Sequence, residues 1–198
     1  MIFDSINPAN GDKVNSFERM SDDEVQLILH KCAEAQRGWA NTPFSERARL
    51  LTAVADLLLE NRHTYAQLMT EEMGKVYAQG IAEVEKCAWG CRYYAEHAER
   101  FLAPEDVATE AHHSFVSYKP LGVVLAVMPW NFPLWQVFRF AAPALMAGNA
   151  ALLKHAPNVF GCALLIENIF AEAGLPANLF RSLIIDVPQT TRVIHNPL

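Results

Sequence analysis

The chain is 198 residues long, 52% hydrophobic and 19% charged, with a formal net charge of -6. That is enough to bury the core of one ordinary domain, and it is too apolar for an intrinsically disordered segment. Lysines and arginines are scattered instead of clustered, which leaves no electrostatic footprint for nucleic acid or an anionic membrane and points to small soluble partners.

The start, MIFDSINPANGDKV, lacks the basic segment and apolar run of a secretory signal. Nowhere do about 18 apolar residues follow one another, as a membrane span needs. The expected compartment is the cytosol, with Cys32, Cys87, Cys91 and Cys162 as reduced thiols. Asn7-Pro8 and Asn10-Gly11 are turn chemistry, so the first twenty residues read as a hairpin-like edge segment. Ser21 with Glu24 is a capping-box signal, followed at helical spacing by Val25, Ile28, Leu29, Cys32 and Trp39. Pro43 suits the first turn of a second helix with Leu50, Leu51, Val54, Leu57 and Leu58 on one side. A third helix from about His63 ends at Gly74, and a fourth runs from about Ala78 to Leu102 with Ile81, Val84, Cys87, Ala88, Cys91 and Ala95 as its buried stripe. Cys87 and Cys91 with His97 lack the tight paired spacing of zinc ligands, so buried thiols and no metal are expected.

After Pro104 the pattern alternates: Phe115, Ser117 and Lys119 against Val116 and Tyr118, an exposed, half-buried strand. Past Pro120, GVVLAV is a continuous apolar run of strand length. PLWQVFRFAAPALMAG reads as helix, AALLKHA as strand, VFGCALLIENIFAEAG as helix and FRSLIID as strand. Strands that are apolar throughout imply burial on both faces, so the expected fold is α/β, a helical N-terminal part followed by a Rossmann-like parallel sheet with helices on both faces.

In such sheets ligands bind beyond the carboxyl ends of the strands, where Asn131 stands between Pro129 and Pro133. Its amide can donate to a developing oxyanion, with the prolines restricting the backbone; the plainer alternative is a turn asparagine bonded to nearby backbone. Pro-Trp-Asn-Phe-Pro (129–133), Ala147-Gly148-Asn149, Leu152-Leu153-Lys154, Glu72-Met73-Gly74-Lys75 and Ala173-Gly174-Leu175-Pro176 occur in the order and spacing of the aldehyde dehydrogenase superfamily, which the chain resembles over nearly its whole length.

The resemblance implies a reaction in which a cysteine thiolate attacks an aldehyde, hydride passes to a nicotinamide and water hydrolyses the thioester. It implies Asn131 as the oxyanion donor, Lys154 on the adenosine ribose, with a strand-end lysine reaching solvent as its plainer alternative, and Met128, Pro129 and Trp130 beside the nicotinamide ribose. Arg139 matches the arginine with which succinate-semialdehyde dehydrogenases grip the distal carboxylate; a helix-surface ion pair is its alternative. Pro157 stands where many NAD users carry a glutamate, so NAD or NADP is the implied cofactor, and His155 is expected to add polarity there.

The family's general base and nucleophilic cysteine have no counterpart here, so the chain is expected to be an N-terminal portion that does not oxidise aldehydes alone. Residues 1–102 would be the helical part of the cofactor domain, 103–120 a protruding segment that joins subunits into homo-oligomers, and 121–198 the first β-α-β-α-β of the dinucleotide-binding unit. The rival expectation is a non-catalytic partner subunit, or a decayed fragment, that joins full-length relatives through residues 103–120.

Overall fold

A computed structural model describes residues 1–197; the expected boundary at Leu198 lies outside them. The chain opens with an antiparallel hairpin, β1 (Ile2–Ile6) and β2 (Lys13–Glu18), with Ile2 opposite Glu18. Gly11 closes the turn at φ 78°, where a side chain would be strained, and donates to the Asn7 carbonyl at 2.8 Å. Phe3 and Phe17 set their edges against Phe160, with ring centroids 5.1 and 6.1 Å away, and so tie the hairpin to the sheet layer.

Four helices follow: α1 (Asp22–Trp39), α2 (Phe44–Glu60), α3 (Arg62–Met73) and α4 (Tyr77–Phe101). The capping box of α1 forms: the Ser21 hydroxyl accepts from the Glu24 N–H, and the Glu24 carboxylate accepts from the Ser21 N–H at 2.7 Å. The apolar stripe foreseen on α1 is buried. On α2, Pro43 is the capping residue just outside the first turn, and Leu57 is only half-buried. The stripe of α4 is buried at Val84, Cys87, Ala88 and Cys91, while Ile81 and Ala95 lie at its margin.

Residues 103–120 depart from the half-buried strand read in the alternation. They fold back on themselves as a minimal pair, β3 (Glu105–Asp106) against β4 (Phe115–Val116). Phe115, Val116 and Tyr118 are all exposed, Phe115 at 52%, so neither face of this short pair is buried.

The second layer holds β5 (Val123–Met128), α5 (Trp135–Met146), β6 (Ala150–His155), a 3-10 turn at Pro157–Val159, α6 (Phe160–Glu172), β7 (Phe180–Ser182) and α7 (Val187–Ile194). The sheet is parallel in the order β5-β6-β7. Both crossovers run in one direction, so right-handedness puts α5 and α6 on the same face. The opposite face is covered by α1 and α7, whose Leu29 and Val193 meet Val123, Leu125 and Leu152. Burial on both faces therefore holds for β6, which is buried throughout. It fails for β5: only Ala126 is fully buried and Val127 is 54% exposed, because β5 is an edge strand. The third strand is also shorter than FRSLIID, although Leu183 continues the ladder by donating to the Leu153 carbonyl at 2.7 Å.

The two layers are joined at helix ends. A helix leaves its first N–H groups and last carbonyls without intrahelical partners, and neither α5 nor α6 has a side-chain cap of its own. Glu72, buried at the end of α3, accepts from the Gly161 and Cys162 N–H groups of α6 at 3.0 and 2.9 Å. Glu83, buried on α4, accepts from the Leu134 and Trp135 N–H groups at the start of α5, both at 2.9 Å. At the far end of α5, Arg47 of α2 donates to the Met146 carbonyl at 2.8 Å and to Trp39 and Ala40 at the end of α1. Trp39 donates to Leu145 at 2.8 Å and Gln36 to Gly148 at 3.0 Å. Gly148, at φ 88°, lies where a Cβ would come within 3.2 Å of the Arg47 guanidinium.

Arg47→Leu is expected to lower unfolding free energy by about 3 kcal/mol, because buried carbonyls lose a charged donor. Arg47→Lys should recover only part, since an ammonium cannot span three acceptors as the planar fork does. Urea unfolding followed by far-UV circular dichroism measures both.

Candidate active site at the carboxyl ends of the strands

Parallel pairing sets Val127 beside Lys154 and Met128 beside His155. Met128, Pro129, Trp130 and Asn131 therefore leave β5 next to the point where β6 presents Lys154. Side chains alternate across a strand, so Lys154 faces the α1 side with Leu152, and His155 faces the α5 side with Leu153.

Asn131 is exposed, and its side chain makes no hydrogen bond among the described residues, so it is not the backbone-bonded turn asparagine. Its main chain is held: the Lys75 ammonium donates to the Asn131 carbonyl at 3.0 Å. Lys75 also forms a buried ion pair with Glu83 and lies 4.0 Å from the Phe132 ring centroid. Trp130 and Phe132 flank Asn131 with exposed rings. Beside Phe132 and Trp135 lies a hollow of about 350 Å³, walled by Gln79, Ala82 and Lys86 of α4. A second hollow of about 240 Å³, at Leu175–Arg181, lies at the amino-end edge of β7, remote from these groups.

Lys154 is only 7% exposed and has no carboxylate partner among the described residues. Desolvation lowers its pKa from the usual lysine value, as expected for a cation sequestered without a counter-charge. A buried, unpaired cation beside a strand end is costly, and an anionic or hydroxyl-rich ligand would offset that cost.

His155 does not join Lys154. It is fully buried on the other face, where Nδ1 accepts from the Ala156 N–H at 2.9 Å and Nε2 therefore carries the proton and donates to the Pro133 carbonyl at 2.8 Å. The expectation that it adds polarity near a ribose is corrected by strand alternation: one residue after Lys154, it must face the opposite side. Arg139 lies one helical turn past Trp135, exposed, with no ion pair or hydrogen bond among the described residues; it is not the surface ion pair that was its alternative.

Burial pushes all four thiols up: Cys32 to about 12, and Cys87, Cys91 and Cys162 well above the ordinary value. None is a ready nucleophile at neutral pH. The described residues contain no cluster of three or more potential metal ligands. No helix among them is long and apolar enough to cross a membrane.

The aldehyde dehydrogenase family profile matches residues 1–196. The chain belongs to the aldehyde dehydrogenase family. It is 54% identical over 185 residues to a probable NADP(+) succinate-semialdehyde dehydrogenase of Synechocystis, covering 93% of this chain and 41% of that protein. It is 47% identical to succinate-semialdehyde dehydrogenase [NADP(+)] 1 of Mycobacterium tuberculosis, covering 98% of this chain and 43% of the relative. The succinic semialdehyde dehydrogenase of Streptococcus pyogenes, solved with NADP+, superposes with a TM-score of 0.95 at 32% identity, over 98% of this chain and 43% of that one. The chain thus spans about two fifths of the length of these relatives.

Glu83 and Arg47 were not foreseen as buried charges, and Glu72 and Lys75 were read only as part of the Glu-Met-Gly-Lys stretch, without their buried bonds. The signal was available: Glu83 is four residues before Cys87, and Arg47 three before Leu50, so both fall on the buried stripes of their helices.

The folded-state pKa of His155 is lowered, first by desolvation and against the pull of its bond to Pro133. The unfolded chain then takes up a proton near pH 6.5 that the folded chain refuses, so stability is full above that pH and declines as pH falls below it. Tm measured from pH 7.5 to 5.5 should fall, and the slope should flatten in His155→Gln. The exposed carboxylates with lowered pKa, Asp4, Asp22 and Glu24 among them, act only at lower pH.

Proposed function

We propose that this chain is the N-terminal portion of an NADP-dependent dehydrogenase that oxidises succinate semialdehyde to succinate. The observation that carries the reading is the pairing of a free amide, Asn131, with a buried, unpaired ammonium, Lys154, on adjacent strand ends. The names of the Synechocystis and Mycobacterium relatives and the Streptococcus complex support the substrate and the cofactor.

In this reading Lys154 holds the adenosine ribose, and Pro157, which brings no carboxylate, leaves room for a 2'-phosphate. Met128, Pro129 and Trp130 flank the nicotinamide ribose. When bound, the nicotinamide supplies hydride-accepting chemistry. Asn131 donates its side-chain N–H to the aldehyde oxygen as negative charge builds there, and the rings of Trp130 and Phe132 limit water at that atom. Arg139 takes the distal carboxylate of the substrate with its planar fork, which is why its lack of an internal partner matters. The nucleophile and general base come from sequence outside this chain. Residues 103–120, with apolar side chains exposed on both faces, join subunits of a homo-oligomer. The four unpaired cysteines suit the cytosol.

The test joins residues 1–197 to the C-terminal part of the Synechocystis relative and follows NADPH formation. Arg139→Ala should raise KM for succinate semialdehyde by roughly tenfold or more, the worth of a charge-assisted hydrogen bond, and leave KM for hexanal nearly unchanged. An equal rise for both aldehydes removes the role of Arg139. Asn131→Ala should lower kcat by about 10² to 10³, the loss of one oxyanion donor.

A further inference from the structure

Two prolines do not suffice to hold Asn131. Pro129 and Pro133 fix their own φ and restrict the residues just before them, Met128 and Phe132. Both backbone dihedrals of Trp130 and Asn131 stay free, and Asn131 itself is exposed, with an unbonded side chain. Something else must fix the direction in which its amide points.

Lys75 stands in the short link between α3 and α4 and is nearly fully buried. Its ammonium donates to the Asn131 carbonyl at 3.0 Å, pairs with Glu83 and lies over the Phe132 ring. Glu83 in turn accepts from the Leu134 and Trp135 N–H groups. One buried ion pair thus grips the chain on both sides of Pro133, whose own carbonyl is taken by His155. Gly74, at φ 73°, gives α3 the left-handed ending from which Lys75 departs, and Pro8 of the hairpin fills the space where a Cβ would sit, 2.9 Å away.

A buried ion pair contributes little net stability, because desolvation offsets its attraction, and a packed apolar pair would join α4 to the loop as well. What an apolar pair cannot do is bind a carbonyl. We propose that Lys75 is a positioning residue for Asn131: paired with Glu83, it locks the Asn131 carbonyl and so aims the side-chain amide toward the reacting oxygen. The purpose of the lock rests on the aldehyde dehydrogenase reading above; the lock itself does not.

The test is NMR relaxation on the 198-residue chain, comparing the native protein with Lys75→Met/Glu83→Gln. The amide oxygen that replaces the Glu83 carboxylate can still accept from Leu134 and Trp135, so the start of α5 stays capped while the Asn131 carbonyl loses its donor. The order parameter of the Asn131 backbone N–H should fall from about 0.85 to below about 0.6, with β6 and α2 unchanged. Unchanged values at Asn131, or a loss spread evenly over the helices, would overturn the proposal. If the double variant does not fold, a scalar coupling across the hydrogen bond from Lys75 Nζ to the Asn131 carbonyl carbon decides the matter in the native chain, and its absence overturns the proposal. Both readouts stand whether or not the joined enzyme oxidises aldehydes.

Discussion

The architecture depends on charges that one layer lends to the helix ends of the other. In α1 and α7 the first unsatisfied N–H groups are met locally, by Ser21 and Glu24 and by Asp186 and Gln189. For α5 and α6 the local positions are Leu134 and Val159, whose side chains can accept nothing. Glu83, Glu72 and Arg47 cross from the helical layer to do it, with negative charge at N-termini and positive charge at C-termini, the arrangement the helix dipole favours. Separating the layers would strand both the charges and the backbone groups, so each half needs the other to be satisfied.

This arrangement also decides where an anion can bind. In a common dinucleotide fold the pyrophosphate takes the N-terminus of the helix after the first strand. Here that place on α5 is taken by Glu83, and the matching place on α6 by Glu72. A phosphate arriving at either would meet a carboxylate already using the same N–H groups. Lys154, across β6 from His155 and with no counter-charge among the described residues, is a positive group left unengaged at these strand ends.

Elements with local causes were legible in the sequence. The hairpin follows from Asn-Pro and Asn-Gly, α1 from its capping box, and the end of α3 from Gly74; the β-α-β-α-β order follows from runs of length and period. What was not legible depends on distant parts of the chain. The partial exposure of β5 depends on its edge position, and no reading of GVVLAV by itself contains that. The face of His155 follows from alternation once Lys154 is placed, but its bond to Pro133 needs the loop in three dimensions. Arg47 and Glu83 lie on apolar stripes, where hydrophobic periodicity alone gives a charge no place, and the bonds of Glu72 to α6 join parts of the chain far apart in sequence.

Topology explains why Asn131 follows β5 and not another strand. Successive crossovers carry the chain from β5 to β6 to β7 with α5 and α6 on one face, and α7 then moves to the face of α1, where Gln189 and Arg192 bind Asp22. A right-handed connection through that face reverses the direction of travel, so a parallel strand following α7 would pair with the free edge of β5. The strand order would then diverge at β5, and divergence opens a crevice between the carboxyl ends of neighbouring strands because the loops leave on opposite faces. Asn131 stands at that end of β5, and the exposed Val127 and Trp130 mark the same edge. Asn131, exposed at the carboxyl end of the edge strand β5, thus has open space on the side away from β6, while Lys75 holds its carbonyl.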